Sequence, residues 1–74
     1  VKVEDFMERV RRELEMCGRT TFRELTRDCA LRIEMIAFFI ALLELFKREE
    51  IELRQAARFG DIEVWALEGA GDGN

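Results

Sequence analysis

The residue types that most often carry out catalysis or bind metals are scarce in this 74-residue sequence. Histidine and serine are absent, and the two cysteines, Cys17 and Cys29, do not form a C-x-x-C pair. Two thiols cannot complete a four-ligand zinc site, and the scattered carboxylates have no convincing nucleophile or base beside them. The sequence therefore predicts no enzyme activity, no metal site and no cofactor. We expect both thiols to be reduced and packed, rather than joined in a disulfide.

The composition indicates one small globular domain that is not built to bind nucleic acid. Hydrophobic residues make up 49% and charged residues 38%, and the absence of proline suits helices. The formal net charge of -4 argues against a phosphate backbone as the partner. The longest apolar run is shorter than the ~20 residues of a membrane span, and it is not a signal peptide because no basic n-region precedes it. Because the chain begins at Val1 without an initiator Met, we expect a fragment of a longer protein.

The spacing of apolar residues predicts three helices in the first two-thirds of the chain. Gly18 is placed to end the first helix, since glycine is a common C-terminal stop. Thr21 is placed to cap the second helix, with Glu24 reaching back in a capping box. The predicted helices span about 4–17, 22–28 and 32–47.

After the third helix the apolar period changes from near four to two, which predicts a two-stranded hairpin over about 51–55 and 62–66. Gly60 can supply the positive φ for its turn. With a short strand after the first helix, the order α-β-α-α-β-β is that of a winged helix, an α+β fold. A generic α+β mini-domain is the alternative. We expect the domain to cover 1–68 and the Gly-rich residues 69–74 to be a flexible tail.

The third predicted helix is apolar over well over half of its circumference, more than one core-facing side requires. The stripe assigned to the core consists of Ile36, Phe39, Ile40, Leu43 and Phe46. The surplus that we expect to be exposed, as hydrophobic anchors for a partner, consists of Phe38, Leu42 and Leu45. The alternative is that the first helix or the wing covers these three. Contiguous exposed apolar residues at this spacing are typical of a contact surface, and could also allow self-association.

A DNA-reading winged helix uses this same helix, but with Arg, Asn, Gln or Lys directed at base edges. Phe, Ile and Leu with two glutamates occupy the middle of the helix here. Direct DNA binding is therefore not expected. The alternative function is a nucleic-acid-binding winged helix that acts through wing residues Arg54 and Arg58.

Four segments resemble the C-terminal domain of the bacterial ScpA (segregation and condensation protein A) family of kleisins. They are TTFRELTRDC, F-x-A-L-L-E-L at 39–45, I-E-L-R-Q at 51–55 and F-G-D-I at 59–62. The resemblance implies a winged helix that docks on the ATPase head of an SMC protein instead of reading DNA. It also implies that other parts of the full-length protein, absent here, bind the second SMC subunit and ScpB. The assembly would then be a ring that condenses and segregates the chromosome, in the cytoplasm at the nucleoid.

Residues of the matching motif, together with Phe38, Arg54 and Trp65 from outside it, divide into expected structural residues and expected partner contacts. Phe39, Leu43 and Ile62 are expected in the core, Gly60 in the turn, and Phe59 as a plug under the wing. The residues expected to contact the SMC head are Phe38, Leu42, Leu45, Arg54, Gln55 and Trp65. For Gln55 the alternative is an amide that caps wing backbone groups. For Trp65 it is a ring that packs across the hairpin onto a helix.

Overall fold

A computed structural model describes residues 2–55 and 60–67 and confirms the predicted winged-helix order of elements. The elements are α1 (Val3–Cys17), β1 (Arg19–Thr21), α2 (Phe22–Leu25), α3 (Arg32–Lys47), β2 (Ile51–Gln55) and β3 (Ile62–Ala66). The predicted tail and the predicted plug Phe59 lie outside the described residues, as does Arg58.

Helix α1 is the amphipathic helix that its spacing predicts, and Gly18 ends it. Its buried residues recur at three- and four-residue steps: Phe6, Met7, Val10 and Leu14. Gly18 has a φ of 80°, and its N–H donates to the Leu14 carbonyl oxygen at 2.7 Å. The Gly18 carbonyl accepts from the N–H of Ala66 at 3.1 Å, so the residue that stops the helix also ties it to β3.

Helix α2 is shorter than predicted and makes only half of the predicted capping box. The N–H of Glu24 donates to Thr21 Oγ1 at 3.0 Å, but the Glu24 carboxylate forms an ion pair with Arg27. The helix stops at Leu25, and residues 26–28 form a turn. The hydroxyl of Thr26 donates to the Phe22 carbonyl at 2.8 Å. A Thr side chain that bonds to local backbone in this way competes with helix continuation.

Hydrogen bonds between residues close in sequence cap helix α3 at both ends. The Glu34 carboxylate accepts from the N–H groups of Ala30 at 3.0 Å and Leu31 at 3.3 Å. At the other end, the N–H of Glu50 donates to the Leu45 carbonyl at 3.0 Å, across a residue in the left-handed conformation. That residue is Glu49, with a φ of 62°, in a position that usually holds glycine.

The sheet has the strand order β1-β3-β2, with both pairs antiparallel. Val64 of the central strand lies opposite Thr20 on one side and Leu53 on the other, on the face that turns toward the helices. Because side chains alternate along a strand, the neighbouring positions point to the outer face. The predicted period-two hairpin is confirmed, and β1 adds the third strand.

The prediction of which side of α3 faces the core is wrong. The side chains expected to be exposed are buried: Phe38 is 1%, Leu42 1% and Leu45 0% exposed. The stripe expected in the core is exposed instead, with each of its residues between 44% and 50% accessible: Ile36, Phe39, Ile40, Leu43 and Phe46. Helix α3 therefore has an apolar surplus, as predicted, but it lies on the opposite side.

The buried side of α3 is the one that allows α1 to approach closely. Ala37 and Ala41 lie on it, both buried, whereas the exposed stripe contains no residue smaller than Leu. Interaxial distance depends on the side chains at the contact, so paired small residues favour this side. Phe38 then meets Phe6 of α1 edge to face, with ring centroids 4.8 Å apart. The Arg9 guanidinium covers the pair, 4.9 Å from the Phe38 centroid, which seals the ring from water.

A partly buried ion pair links α1 to the turn that follows α3. Arg11 donates to Glu50 through Nε at 2.9 Å and through a second guanidinium nitrogen at 3.0 Å. Its remaining nitrogen donates to Glu8 at 3.1 Å. The hydrogen bond from Arg11 holds the pKa of the Glu50 carboxyl below its ordinary value, although partial burial opposes the shift.

Replacing Leu42 and Leu43 separately by alanine compares the two sides of α3 with identical chemistry. Leu42→Ala should lower the free energy of unfolding by about 2–5 kcal/mol, since it opens a cavity in the core. Leu43→Ala should cost less than about 1 kcal/mol, because half of that side chain is already in water. Urea unfolding followed by circular dichroism measures both. Equal losses would show that α3 is turned differently.

The Arg11–Glu50 pair should make stability depend on pH in the acid range. Because the folded-state pKa of Glu50 is depressed, its contribution is fully present above the unfolded-state pKa of about 4.3. It is lost as the pH falls through the lower folded-state pKa. Glu50→Gln should cost about 1 kcal/mol at neutral pH, and this cost should shrink as the pH falls through the folded-state pKa of Glu50. Unfolding curves measured from pH 7 to pH 2 test this. In Arg11→Met the free energy of unfolding should show the same weakened dependence on pH. A constant difference between wild type and Glu50→Gln would contradict the assignment.

Candidate partner-binding surface

One side of α3 forms a continuous apolar surface open to solvent. We call it the exposed α3 face: Ile36, Phe39, Ile40, Leu43 and Phe46. At 100° per residue these side chains fall within an arc of about 120°, so they form a single stripe along the helix. The buried contact between α1 and α3 lies on the other side of the helix.

The apolar surface extends beyond α3 at its borders. The ring of Phe22, on α2, lies edge-on to Phe39, with centroids 6.2 Å apart. A shallow groove at the N-terminal end of α3 is lined by Val3, Ile33, Ile36, Ala37 and Ile40. A soluble domain seldom exposes so many adjacent apolar side chains unless they contact another molecule.

The three predicted anchors on α3 lie beneath this surface and not on it. Phe38, Leu42 and Leu45 have essentially no accessible area, so a partner that docks on this conformation cannot touch them. The exposed α3 face was missed because both sides of the helix are apolar. The spacing of Ala37 and Ala41 was the one local signal that could have identified the buried side.

Gln55 is exposed at the end of β2, where it adjoins the apolar surface. It lines a depression between α2, α3 and the hairpin, together with Phe22 and Met35. Met35 is itself exposed and borders the exposed α3 face. Within the described residues the Gln55 amide makes no side-chain hydrogen bond, so it does not cap the described wing backbone.

Arg54 and Trp65 lie together, but on the outer face of the sheet, away from Gln55. The Trp65 ring stands between two guanidinium groups, with Arg54 4.9 Å and Arg19 5.2 Å from its centroid. Its indole N–H donates to the Glu63 carboxylate at 3.2 Å. Trp65 thus packs between strands instead of onto a helix. Arg54 also donates twice to Glu52 at 3.2 Å, and this hydrogen bonding raises its pKa above the ordinary value.

Asp61, the acidic residue of the F-G-D-I segment, makes structural hydrogen bonds that the sequence analysis did not predict. Its carboxylate accepts from the N–H of Arg23 at 3.0 and 3.2 Å and from the N–H of Ile62 at 2.9 Å. A carboxylate is favourable at a helix N-terminus, where N–H groups lack partners. Asp61 thereby fastens the start of β3 to α2 and closes one wall of the depression that holds Gln55.

The described residues contain no grouping of three Cys, Asp or Glu side chains suited to a metal ion. Both cysteines are free thiols: Cys29 packs against the core as predicted, but Cys17 is exposed, contrary to the prediction. Partial burial raises the pKa of the Cys29 thiol. Within 2–55 and 60–67, none of the helices has the length and apolar content that a membrane crossing requires.

Known proteins match this chain in sequence and in structure. The chain is 34% identical over 61 residues to segregation and condensation protein A of Streptococcus agalactiae and 44% identical to that of Streptococcus suis. Each match covers 82% of this chain and 26% of the relative, so the chain spans about a quarter of the length of these curated relatives.

A solved structure is similar to the fold described above. It is the crystal structure of the SmcHead bound to the C-winged helix domain of ScpA, with a TM-score of 0.65 and 29% sequence identity. The match covers 88% of this chain and 93% of the matched chain. The model of the family "Segregation and condensation protein ScpA" matches residues 2–67. Since this match takes in every element of the fold, the chain belongs to the ScpA family.

Proposed function

We propose that this chain is a non-catalytic docking module that binds the ATPase head of an SMC protein. The observation that carries the proposal is the exposed α3 face, a contiguous row of large apolar side chains that are each about half accessible to water. The similar C-winged helix domain of ScpA was crystallised bound to an Smc head, which supports the choice of partner. The choice of surface rests on the burial pattern of this chain.

Binding on this face would be driven by removal of apolar surface from water, at about 25 cal/mol per Å2. The side chains are held on a regular helix that is capped at both ends, so docking orders few additional groups. Leu43 and Phe39, near the middle of the stripe, are proposed as the central contacts, because central apolar residues usually dominate an interface. Gln55 is proposed as a polar contact at the edge, since it lies in the adjoining depression.

Arg54 and Trp65 are proposed as secondary contacts. They occupy the outer face of the sheet, and a partner that reaches both them and Gln55 must pass around the free edge of β2. Their stack is already satisfied by Glu52 and Glu63 within the domain, so it has little unmet bonding capacity to offer. The nucleic-acid alternative is weakened by the same contacts, because Arg54 would have to leave its carboxylate to reach a phosphate.

The larger assembly is proposed from the family. In the full-length protein, regions outside this chain would bind the second SMC subunit and ScpB. The protein would then close an SMC ring that acts in chromosome condensation and segregation at the nucleoid. In this scheme the exposed α3 face supplies one attachment point of the ring, and any ATP turnover belongs to the SMC partner.

Leu43→Asp should remove binding to a purified SMC head without unfolding the chain. A carboxylate in the middle of a buried apolar contact should weaken the affinity by about 100-fold or more, measured by isothermal titration calorimetry. Met16→Asp is the matched control, since Met16 is 78% exposed on α1 and should tolerate the same change in both assays. Circular dichroism should be unchanged for both variants. Wild-type affinity in folded Leu43→Asp would refute docking on this face.

Gln55→Ala and Trp65→Ala compare how much the two faces of the wing contribute to affinity for the SMC head, in the same assay. Gln55→Ala should weaken binding about tenfold, through the loss of an edge hydrogen bond. Trp65→Ala should weaken it by no more than about threefold, as befits a rim contact. A loss for Trp65→Ala as large as that for Leu43→Asp, with unfolding unchanged, would place the main contact on the outer face of the sheet instead.

A further inference from the structure

The exposed α3 face has a cation at each of its ends. Arg32 begins α3 and Lys47 ends it, and the helical register places both within the arc of the apolar stripe. Fifteen residues at 1.5 Å each separate them by about 22 Å along the axis. The face is therefore a long apolar strip that is basic at both limits.

These two cations differ from most of the basic groups in the molecule. Most other arginines in the described part of the chain are engaged. Ion pairs hold Arg11, Arg23, Arg27, Arg48 and Arg54, and aromatic rings hold Arg9 and Arg19. Over residues 2–55 and 60–67, neither Arg32 nor Lys47 has a carboxylate within ion-pair distance. Arg32 also lies in the first turn of α3, where a cation opposes the helix dipole, so its placement does not serve the stability of the helix.

The charge pattern argues against a second copy of the chain as the occupant of this face. Two α3 helices packed antiparallel would bring Arg32 of each copy to Lys47 of the other. Packed in parallel, they would bring each cation to its own equivalent. Either arrangement sets like charges against each other at both ends of an apolar contact, which disfavours that pairing.

We propose that the SMC-head surface that covers the exposed α3 face is an apolar groove with a carboxylate near each end, about 20 Å apart. One carboxylate would pair with Arg32 and the other with Lys47. This rests on the function proposed above and adds to it the chemistry of the partner's surface. The apolar strip supplies affinity, whereas the two end charges set the direction and register in which α3 lies in the groove.

The test is the kinetics of binding to a purified SMC head at a series of NaCl concentrations. Neutralising both ends, in Arg32→Gln/Lys47→Gln, should weaken binding about tenfold at low salt, mainly through a slower association rate, and should flatten its salt dependence. Arg12→Gln/Arg27→Gln carries the same net charge with both changes away from the face, and should stay within about twofold of wild type.

The outcomes separate this inference from the function on which it rests. If the two double variants bind equally well while Leu43→Asp still abolishes binding, the paired carboxylates are refuted and the docking function stands. If Leu43→Asp binds like wild type, the docking function itself fails.

Self-association gives an independent readout of the end charges. Lys47→Glu places a carboxylate opposite Arg32 in an antiparallel pair, so it should self-associate more strongly than wild type or Arg12→Glu in analytical ultracentrifugation. A wild-type chain that already dimerises as tightly as Lys47→Glu would overturn the argument against a second copy.

Discussion

The packing of α1 against the alanine-bearing side of α3 is the contact on which the rest of the molecule depends. Phe38 sits edge to face on Phe6 because Ala41 lets the two helices approach, and Arg9 closes the contact from above. A chain of this size can build only one modest core, since small domains bury a small share of their surface. Once α1 has taken one side of α3, residues 2–55 and 60–67 provide no second layer for the other side. The exposed α3 face is thus a direct consequence of the contact that folds the domain.

The elements could be predicted from the sequence because their signals are local, whereas the direction in which α3 faces could not. Gly18 and Thr21 mark helix ends through their own backbone chemistry, and a change of period marks the hairpin. On a helical wheel, α3 has two apolar stripes of similar width, so its periodicity does not indicate which stripe faces the core. The arc on the wheel favoured the wrong side, because a helix–helix contact is decided as much by small residues such as Ala37 as by large ones.

The ties that hold the wing and the turn in place were also invisible to local patterns. Asp61 and the backbone of Arg23 are 38 residues apart, and Arg11 and Glu50 are 39 apart. In the sequence, each of these charged residues has the pattern of a solvated surface charge, because only the fold brings the two partners of a pair together. The candidate partner-binding surface also combines features that are visible in the local sequence with features that only the fold creates. Gln55 is exposed, but its neighbourhood depends on how the hairpin is fastened to α2.

Folding and the proposed docking use opposite sides of one helix, so we expect their energies to be nearly separable. A change at Leu42 acts on the core, while a change at its neighbour Leu43 acts on a surface that contributes little to folding. The exposed residues are nevertheless already about half covered by their neighbours on a capped, regular helix. Their rotamer freedom is thereby restricted before any partner arrives, so less conformational entropy is lost on binding. An apolar surface of modest size can then support a firm attachment, because the fold has ordered it in advance.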